Sequence, residues 1–469
     1  MQNKNEKLAK NTIIIFVSKF CTQFLSFFIL PLLTAALSTE EYGAFDLINT
    51  YGWLIVPYMS LQLENGIFRF LIDSRNKKDE TKAIISNGIF SIFITVVIFS
   101  IIYFGLMTIF NIENNVFIYI YAITTLFLNV PLYISRGMGD NLSYAKSSII
   151  VGVSNVLICI ITVYNLKLGL IGMVIAMAIS NILGGMYLYL KKHIFGYFNL
   201  GLLNKKKSKE LIKYSLPLVP NMTSAWITNV SDKMMISLFI GNSANGIYSV
   251  ATKFSVLLSH MFSVFNLSWT ESASLSAKDN DRDEFFSKTI DNIYSICSCI
   301  CFLVIAVMPI AFRIMINDKF EEAYIYIPWL IVGSIFELFS GLLGAIYISL
   351  KKSTNIAVTT LIAGIINILI NLLFMKKYGT IIACISTIIS YMVLSLYRVI
   401  DIRKHIKIQL NYRIYISSVI MLAILIFLYQ YNSILISILS TIITMVYAII
   451  LNRKIVISCI GKIKEKLNE

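Results

Sequence analysis

The feature that most constrains this chain is a series of long apolar segments. Residues 84–110 and 414–428 are two examples, and similar runs recur along the whole sequence. Backbone amides cannot stay unpaired in hydrocarbon, so a chain that crosses a bilayer must form helices or a closed barrel. Barrel strands would alternate polar and apolar residues over about ten positions, whereas these runs are continuously apolar. The pattern therefore predicts an all-α integral membrane protein.

Composition supports this interpretation. The chain of 469 residues is 57% hydrophobic and 14% charged, and a soluble domain of this size would need more polar residues to cover its surface. Its net charge of +15 would suggest nucleic acid in a soluble protein, but here loop topology explains it and no nucleic-acid partner is expected. The seven cysteines lie mostly in apolar segments and are predicted to be buried hydrophobes. We expect no metal site and no cofactor.

About fourteen transmembrane helices are expected, since a spanning helix needs about 20 residues. The predicted spans are 11–37, 44–68, 83–109, 116–136, 145–165, 168–190, 211–240, 245–271, 287–311, 324–350, 354–375, 379–400, 412–430 and 432–452. With the N-terminus inside, 32 Lys and Arg residues fall in cytoplasmic segments and 5 in external ones. The positive-inside rule then places both termini in the cytoplasm.

The two halves of the chain resemble each other. Gly43 and Gly246 lie in similar short motifs that follow the first and the seventh predicted helix. The offset covers six helices, an even number, so the copies share one orientation, as in transporters built from parallel repeats. We expect two parallel six-helix bundles around a central cavity plus two C-terminal helices. The corresponding domains are 1–190, a cytoplasmic linker 191–210, 211–410, and 411–469 with a basic tail.

Several segments resemble a known family. The Leu-Ser-Thr-Glu-Glu-Tyr-Gly-Ala-Phe element at 37–45, the Gly-Asn-Ser-Ala-Asn-Gly-Ile-Tyr-Ser element at 241–249 and the glycine-rich stretch at 169–176 are similar to the bacterial oligosaccharide flippases called Wzx. These belong to one superfamily (MOP) with the multidrug and toxin extruders and the peptidoglycan-precursor flippases. The resemblance implies alternating-access flipping of undecaprenyl-diphosphate-linked oligosaccharides across the inner membrane for O-antigen (lipopolysaccharide) or capsule. Membrane lipids and the pathway's polymerase and chain-length regulator are the other implied partners.

Basic residues within the membrane are candidates to bind the diphosphate. Charged side chains cost about 2.5–3.5 kcal/mol each in a spanning helix and are functional candidates by default. Lys19, Lys233 and Lys253 fall inside the first, seventh and eighth predicted helices. Arg69, at the inner end of the second, is a weaker candidate. The competing interpretations are ion pairing or snorkelling for the lysines, and an ordinary positive-inside anchor for Arg69.

Five acidic residues are candidates to couple transport to H⁺ or Na⁺. They are Asp46, Glu64, Asp232, Glu271 and Glu337. Carboxylates inside transporters can carry such ions, and local pairing or interfacial exposure is the competing interpretation for each.

Two tryptophans receive separate predictions. Trp226 and Trp269 are both candidates to stack on a sugar ring, and for Trp269, near the inner membrane edge, an interfacial anchor is the favoured interpretation.

Two other functions remain as alternatives. A drug or cation exporter of the same superfamily is the closer one, although three buried lysines favour an anionic substrate. A membrane glycan polymerase would need a large external loop. With the predicted helix limits given above, no external connection here exceeds roughly a dozen residues. We find no P-loop and no hydrolase or metalloprotease motif, so no enzyme activity is expected. The acidic stretch 279–284 is interpreted as a solvated charge run.

Overall fold

The computed structural model describes residues 25, 27–75, 77–110, 113–453 and 457, and every regular element in these ranges is a helix. The helices form two compact units, Met1–Gly246 and Ile247–Glu469. The division follows local packing and does not test the domain boundaries expected from the sequence, which stay predictions.

The first unit contains ten α-helices within its described residues. They are α1 (Leu30–Ala36), α2 (Thr39–Ser60), α3 (Leu63–Asp73), α4 (Lys78–Met107), α5 (Asn115–Gly137), α6 (Asn141–Cys159, extended by a π-helix at Ile160–Asn165), α7 (Gly169–Lys191), α8 (Ile194–Tyr197), α9 (Lys205–Ser215) and α10 (Leu218–Phe239). Helix α11 (Asn242–Leu275) begins in this unit and continues into the second.

The second unit adds six further helices in the part of the chain that the structure describes. They are α12 (Arg282–Met315), α13 (Ala323–Ser349), α14 (Ser353–Tyr378), α15 (Ile381–Ile402), α16 (Tyr412–Tyr429) and α17 (Ile434–Leu451).

Eleven of the described helices, α4–α7 and α11–α17, are long and apolar enough to cross a membrane. The predicted all-α membrane architecture is therefore confirmed. Three of the fourteen predicted spans lie outside this set. The first falls largely outside the described residues, the second is divided between α2 and α3, and the seventh corresponds to the more polar α10. The number fourteen stays a prediction.

Two apolar stripes hold the first unit together. Residues four positions apart lie on one face of a helix, and in both stripes every member is buried. The stripes are Leu63, Ile67 and Leu71 on α3, and Ala122, Leu126, Val130 and Ile134 on α5, and Met59 in the last turn of α2 is buried in the same cluster. The packing of these stripes fixes how α3 and α5 are oriented, and therefore where the polar side chains of the same two helices lie.

A break between α2 and α3 interrupts the second predicted span. Leu61 and Gln62 both have left-handed backbone conformations, with φ of 50° and 56°. Such conformations cost roughly 1–2 kcal/mol per non-glycine residue. Pro57, inside α2, lacks the amide hydrogen that a regular helix needs. At the break, the backbone N–H of Gln62 donates a hydrogen bond to the Ser60 hydroxyl (3.1 Å). The prediction of one continuous helix over 44–68 is wrong here.

The repeat-related glycines face each other at the start of α2 and α11. A Cβ atom added to Gly43 would lie 1.9 Å from the carbonyl oxygen of Asn242, and one added to Gly246 would lie 1.9 Å from that of Thr39. The contact is reciprocal, because Thr39 corresponds to Asn242 in the same repeat. Glycine is needed at both positions because backbone approaches backbone directly.

In the second unit, α16 and α17 both pack against α12. The connection before α16 lies along α12. There the backbone N–H groups of Lys407 and Asn411 donate to the carboxylates of Asp283 (3.0 Å) and Asp291 (3.1 Å), respectively. On α17, the Ser437 hydroxyl donates to the Ala306 carbonyl oxygen (2.6 Å). The acidic stretch predicted to be only solvated thus also fixes this connection through Asp283.

Candidate functional site

A cavity of about 340 Å³ with a mixed polar and apolar lining lies at the break between α2 and α3. Amide and hydroxyl side chains from α3, α5, α10 and the break itself line it. They are Gln62, Asn65, Thr125, Asn129 and Asn221, with the tyrosines Tyr121 and Tyr133. Irregular backbone at membrane depth is tolerated only where it is buried in protein or lines a wet cavity. The break is therefore part of the construction of this cavity.

Glu64 supplies the cavity's carboxylate. It is only 2% exposed, its Oε1 accepts a long hydrogen bond from Gln62 (3.4 Å), and its Oε2 has no hydrogen-bond partner among the described residues. No ion pair of Glu64 is present in that part of the chain either. A buried, unpaired carboxylate is costly unless a proton or cation neutralises it. Glu64 is thus suited to take up either one.

An ion pair joins α2 to α10. Lys233 Nζ donates to Asp46 Oδ1 at 2.8 Å, and the two side chains are 20% and 9% exposed. Two further bonds fix the same antiparallel pairing of helices, from Trp226 Nε1 to the Thr50 carbonyl oxygen (2.7 Å) and between the hydroxyls of Tyr58 and Thr223 (2.8 Å). Two predicted site residues, one basic and one acidic, are therefore brought together across 187 positions of sequence.

The ion pair does not include Arg69 or Lys253, the other basic candidates among the described residues. Arg69 is exposed and pairs with Asp73 on the next turn of α3 (2.7 Å). Lys253 is partly buried on α11 in the second unit, and within the described residues it forms no ion pair. Lys19 lies outside the described residues. Their roles in substrate binding stay predictions.

The remaining acidic candidates have different surroundings. Glu337 on α13 accepts a hydrogen bond from the Ser259 hydroxyl on α11 (2.6 Å), within the second unit. Asp232 is partly buried on α10, and Glu271 is exposed near the end of α11. Glu337 is a partly buried carboxyl of the second unit, whereas Glu64 of the first unit is buried.

Both tryptophan side chains are buried inside the protein. Trp226 is 8% exposed and Trp269 is 2% exposed; Trp269 Nε1 donates to the Leu342 carbonyl oxygen (2.9 Å). Neither ring is available to stack on a sugar, and Trp269 is not an interfacial anchor. The expectations for both were wrong because the sequence of one helix does not reveal which of its faces other helices cover.

Sequence reasoning also missed a buried guanidinium in the second unit. Arg398 on α15, counted among the loop cations, is 4% exposed. It donates to the Ser340 carbonyl oxygen (2.8 Å) and to the hydroxyls of Thr359 (3.0 Å) and Thr360 (2.9 Å). The only sequence feature that could have indicated its burial was its position inside the predicted span 379–400. The cavity residues Gln62 and Asn65 gave no signal, because a helix was expected there.

The comparison with known families gives one match. The family model described as polysaccharide biosynthesis protein matches residues 8–269. No curated protein matches the chain.

Solved structures with a similar fold span most of the chain. The lipid II flippase MurJ in an inward closed conformation has a TM-score of 0.69 and 17% identity, over 95% of this chain and 100% of that one. An inward-facing multidrug resistance MATE family transporter of the MOP superfamily has a TM-score of 0.66 and 14% identity, over 81% and 95%. At these identities the likeness concerns the fold.

Proposed function

The chain belongs to the polysaccharide biosynthesis protein family, and from this premise we propose that it flips undecaprenyl-diphosphate-linked oligosaccharide units across the bacterial inner membrane. It is a multi-pass membrane protein with the fold of the MOP superfamily. The flipped units would feed a surface polysaccharide such as O-antigen or capsule. Both termini would be cytoplasmic, and the pathway's polymerase and chain-length regulator are proposed partners.

The observation that carries the proposal is the cavity at the Leu61–Gln62 break, with its amide and hydroxyl side chains. Amides and hydroxyls both donate and accept hydrogen bonds, as sugar hydroxyls do. A cavity of about 340 Å³ is within the size range of small-molecule sites and has room for part of a glycan head. The lipid tail would stay in the bilayer while the head crosses.

Basic side chains are the proposed contacts of the diphosphate. Lys19, Lys253 and Arg69 would contact the diphosphate, since lysine suits phosphate as a mobile point charge. Lys233 would do so by exchanging its bond with Asp46 for one with phosphate. Substrate binding would then release the α2–α10 ion pair and link recognition to movement of α10.

Glu64 is the proposed coupling residue of the first unit. Transport against a gradient needs a second ion, and a proton or Na⁺ bound at this carboxylate would remove its desolvation cost. Glu337 is the corresponding candidate in the second unit.

Deletion and complementation in the source bacterium test the proposal. Deletion should remove the surface polysaccharide and leave lipid-linked units accumulating on the inner leaflet. Wild type and Glu113→Gln, a control that neutralises an exposed carboxylate, should restore the polysaccharide. Glu64→Gln should not, while the protein still reaches the membrane. A deletion strain with normal polysaccharide would exclude the proposed function.

An exporter of cationic drugs is the second candidate. The unpaired Glu64 carboxylate favours it, because a buried negative charge attracts a cation. Drug sensitivity separates the two candidates. If the deletion strain loses drug resistance and keeps its polysaccharide, the exporter is correct.

A further inference from the structure

A second cavity in the first unit, of about 380 Å³, lies where the ends of α3, α5 and α7 meet the start of α4. It shares no lining residue with the cavity at the helix break. Three cationic side chains line it, Arg75, Lys78 and Lys192. All three belong to segments that the loop-charge count places on the cytoplasmic side.

The cations of this cavity are only partly neutralised. Lys192 pairs with Asp140, whereas Lys78 forms no ion pair within the described residues. Arg75 donates from Nε to the Gly137 carbonyl oxygen (2.7 Å) and from Nη2 to that of Arg136 (3.2 Å). Carbonyl groups hold the guanidinium in place without cancelling its charge, so the cavity keeps a surplus of about two positive charges.

The surroundings of the cavity are amphipathic. Leu71, Met138 and Tyr197 form its apolar wall. Beside Tyr197, the segment after α7 exposes Phe195 (64%) and Leu200 (66%). Exposed apolar side chains next to basic ones are typical of chain that lies in the membrane interface.

We propose that this cationic cavity, built by Arg75, Lys78 and Lys192, binds the phosphate group of an anionic ligand at the cytoplasmic surface of the membrane. Basic pockets between helices on this side suit anionic lipid headgroups. The apolar wall and the exposed Phe195 and Leu200 favour a phospholipid, whose acyl chains would follow the protein surface. Inorganic phosphate offers the same chemistry from solution. The site would tie the protein's stability or activity to anionic phosphate at this surface.

Lipid titration of the purified full-length protein tests the proposal. Native mass spectrometry in neutral detergent measures binding of phosphatidylglycerol and, as the zwitterionic control, phosphatidylcholine. Lys78→Gln removes one cavity cation. Lys77→Gln removes the same charge one residue away, where the lysine is exposed and paired with Glu80 (3.1 Å) and lines no part of the cavity.

Phosphatidylglycerol should bind wild type and Lys77→Gln alike, and Lys78→Gln about fivefold more weakly, because a basic residue at the surface contributes about 1 kcal/mol. Phosphatidylcholine should bind weakly and equally to all three. Displacement of the lipid by millimolar inorganic phosphate would identify soluble phosphate as a source, and no displacement would identify the lipid; both support the site. Equal phosphatidylglycerol affinities for Lys77→Gln and Lys78→Gln would overturn the proposal.

Discussion

The crossing of α2 and α11 gives a direct test of the repeat and its packing. In Gly43→Ala, the new methyl group would lie 1.9 Å from the Asn242 carbonyl oxygen and 2.8 Å from the Gly246 nitrogen. Both neighbours are backbone atoms, so neither can rotate away. Ordinary contact begins at 3.4 Å, so the helix ends must separate by about 1.5 Å, the difference between 3.4 and 1.9.

The cost follows from the contacts that this separation breaks. The Asn245 side chain donates to the Gly43 carbonyl oxygen (3.1 Å), and the hydroxyls of Thr39 and Ser243 are 2.6 Å apart. Overpacking costs about 1–3 kcal/mol, and each lost hydrogen bond about 1 kcal/mol. Alanine in a helix recovers about 0.5–1 kcal/mol relative to glycine. The net destabilisation expected is roughly 2–4 kcal/mol.

Disulfide formation between Thr39→Cys and Ser243→Cys measures the separation. With hydroxyls 2.6 Å apart, the paired cysteines should oxidise readily, since a disulfide needs its sulfurs at about 2.05 Å. Adding Gly43→Ala should greatly slow this cross-link and lower the thermal unfolding midpoint. Gly105→Ala is the matched control, because nothing lies within 4 Å of its added Cβ. Unchanged cross-linking and stability in Gly43→Ala would refute the packing described at this crossing.

Three further predictions concern charged groups. Lys253→Ala should abolish surface polysaccharide while the protein stays in the membrane, as an immunoblot of membrane fractions would show; normal polysaccharide would remove Lys253 from the site. Lys233→Met alone should destabilise the protein by up to about 3 kcal/mol, because it strands a buried carboxylate, and adding Asp46→Asn should recover much of the loss in thermal unfolding; additive losses would contradict the ion pair. Burial raises the pKa of Asp140, but hydrogen bonds from Lys192 and Ser143 outweigh it and lower that pKa to about 2. The stabilisation is thus present above pH 4 and lost as pH falls toward 2, and in Lys192→Met the carboxyl should titrate at higher pH by difference infrared spectroscopy, whereas an unchanged titration would exclude the pairing.

The candidate site was only partly predictable. The sequence identified Asp46, Glu64 and Lys233 as charges within spans, because such charges are rare in apolar segments. It did not indicate that Asp46 pairs with Lys233, nor that Gln62 turns into a cavity. Both depend on neighbours distant in the chain, and single-sequence patterns report only on residues a few positions apart.

The sequence by itself determined the helical membrane architecture, the approximate ends of most helices and the family resemblance. The architecture and the helix ends follow from transfer free energy and helical periodicity, which sum locally along each segment. The resemblance rests on the short motifs at 37–45, 169–176 and 241–249. Only the tertiary structure decided the left-handed break at Leu61–Gln62, the burial of Glu64 without an ion pair among the described residues, and the grouping of Arg75, Lys78 and Lys192 around one cavity. Each of these depends on packing between helices that lie far apart in sequence, where a strained turn or an unpaired charge persists because the surrounding contacts hold it.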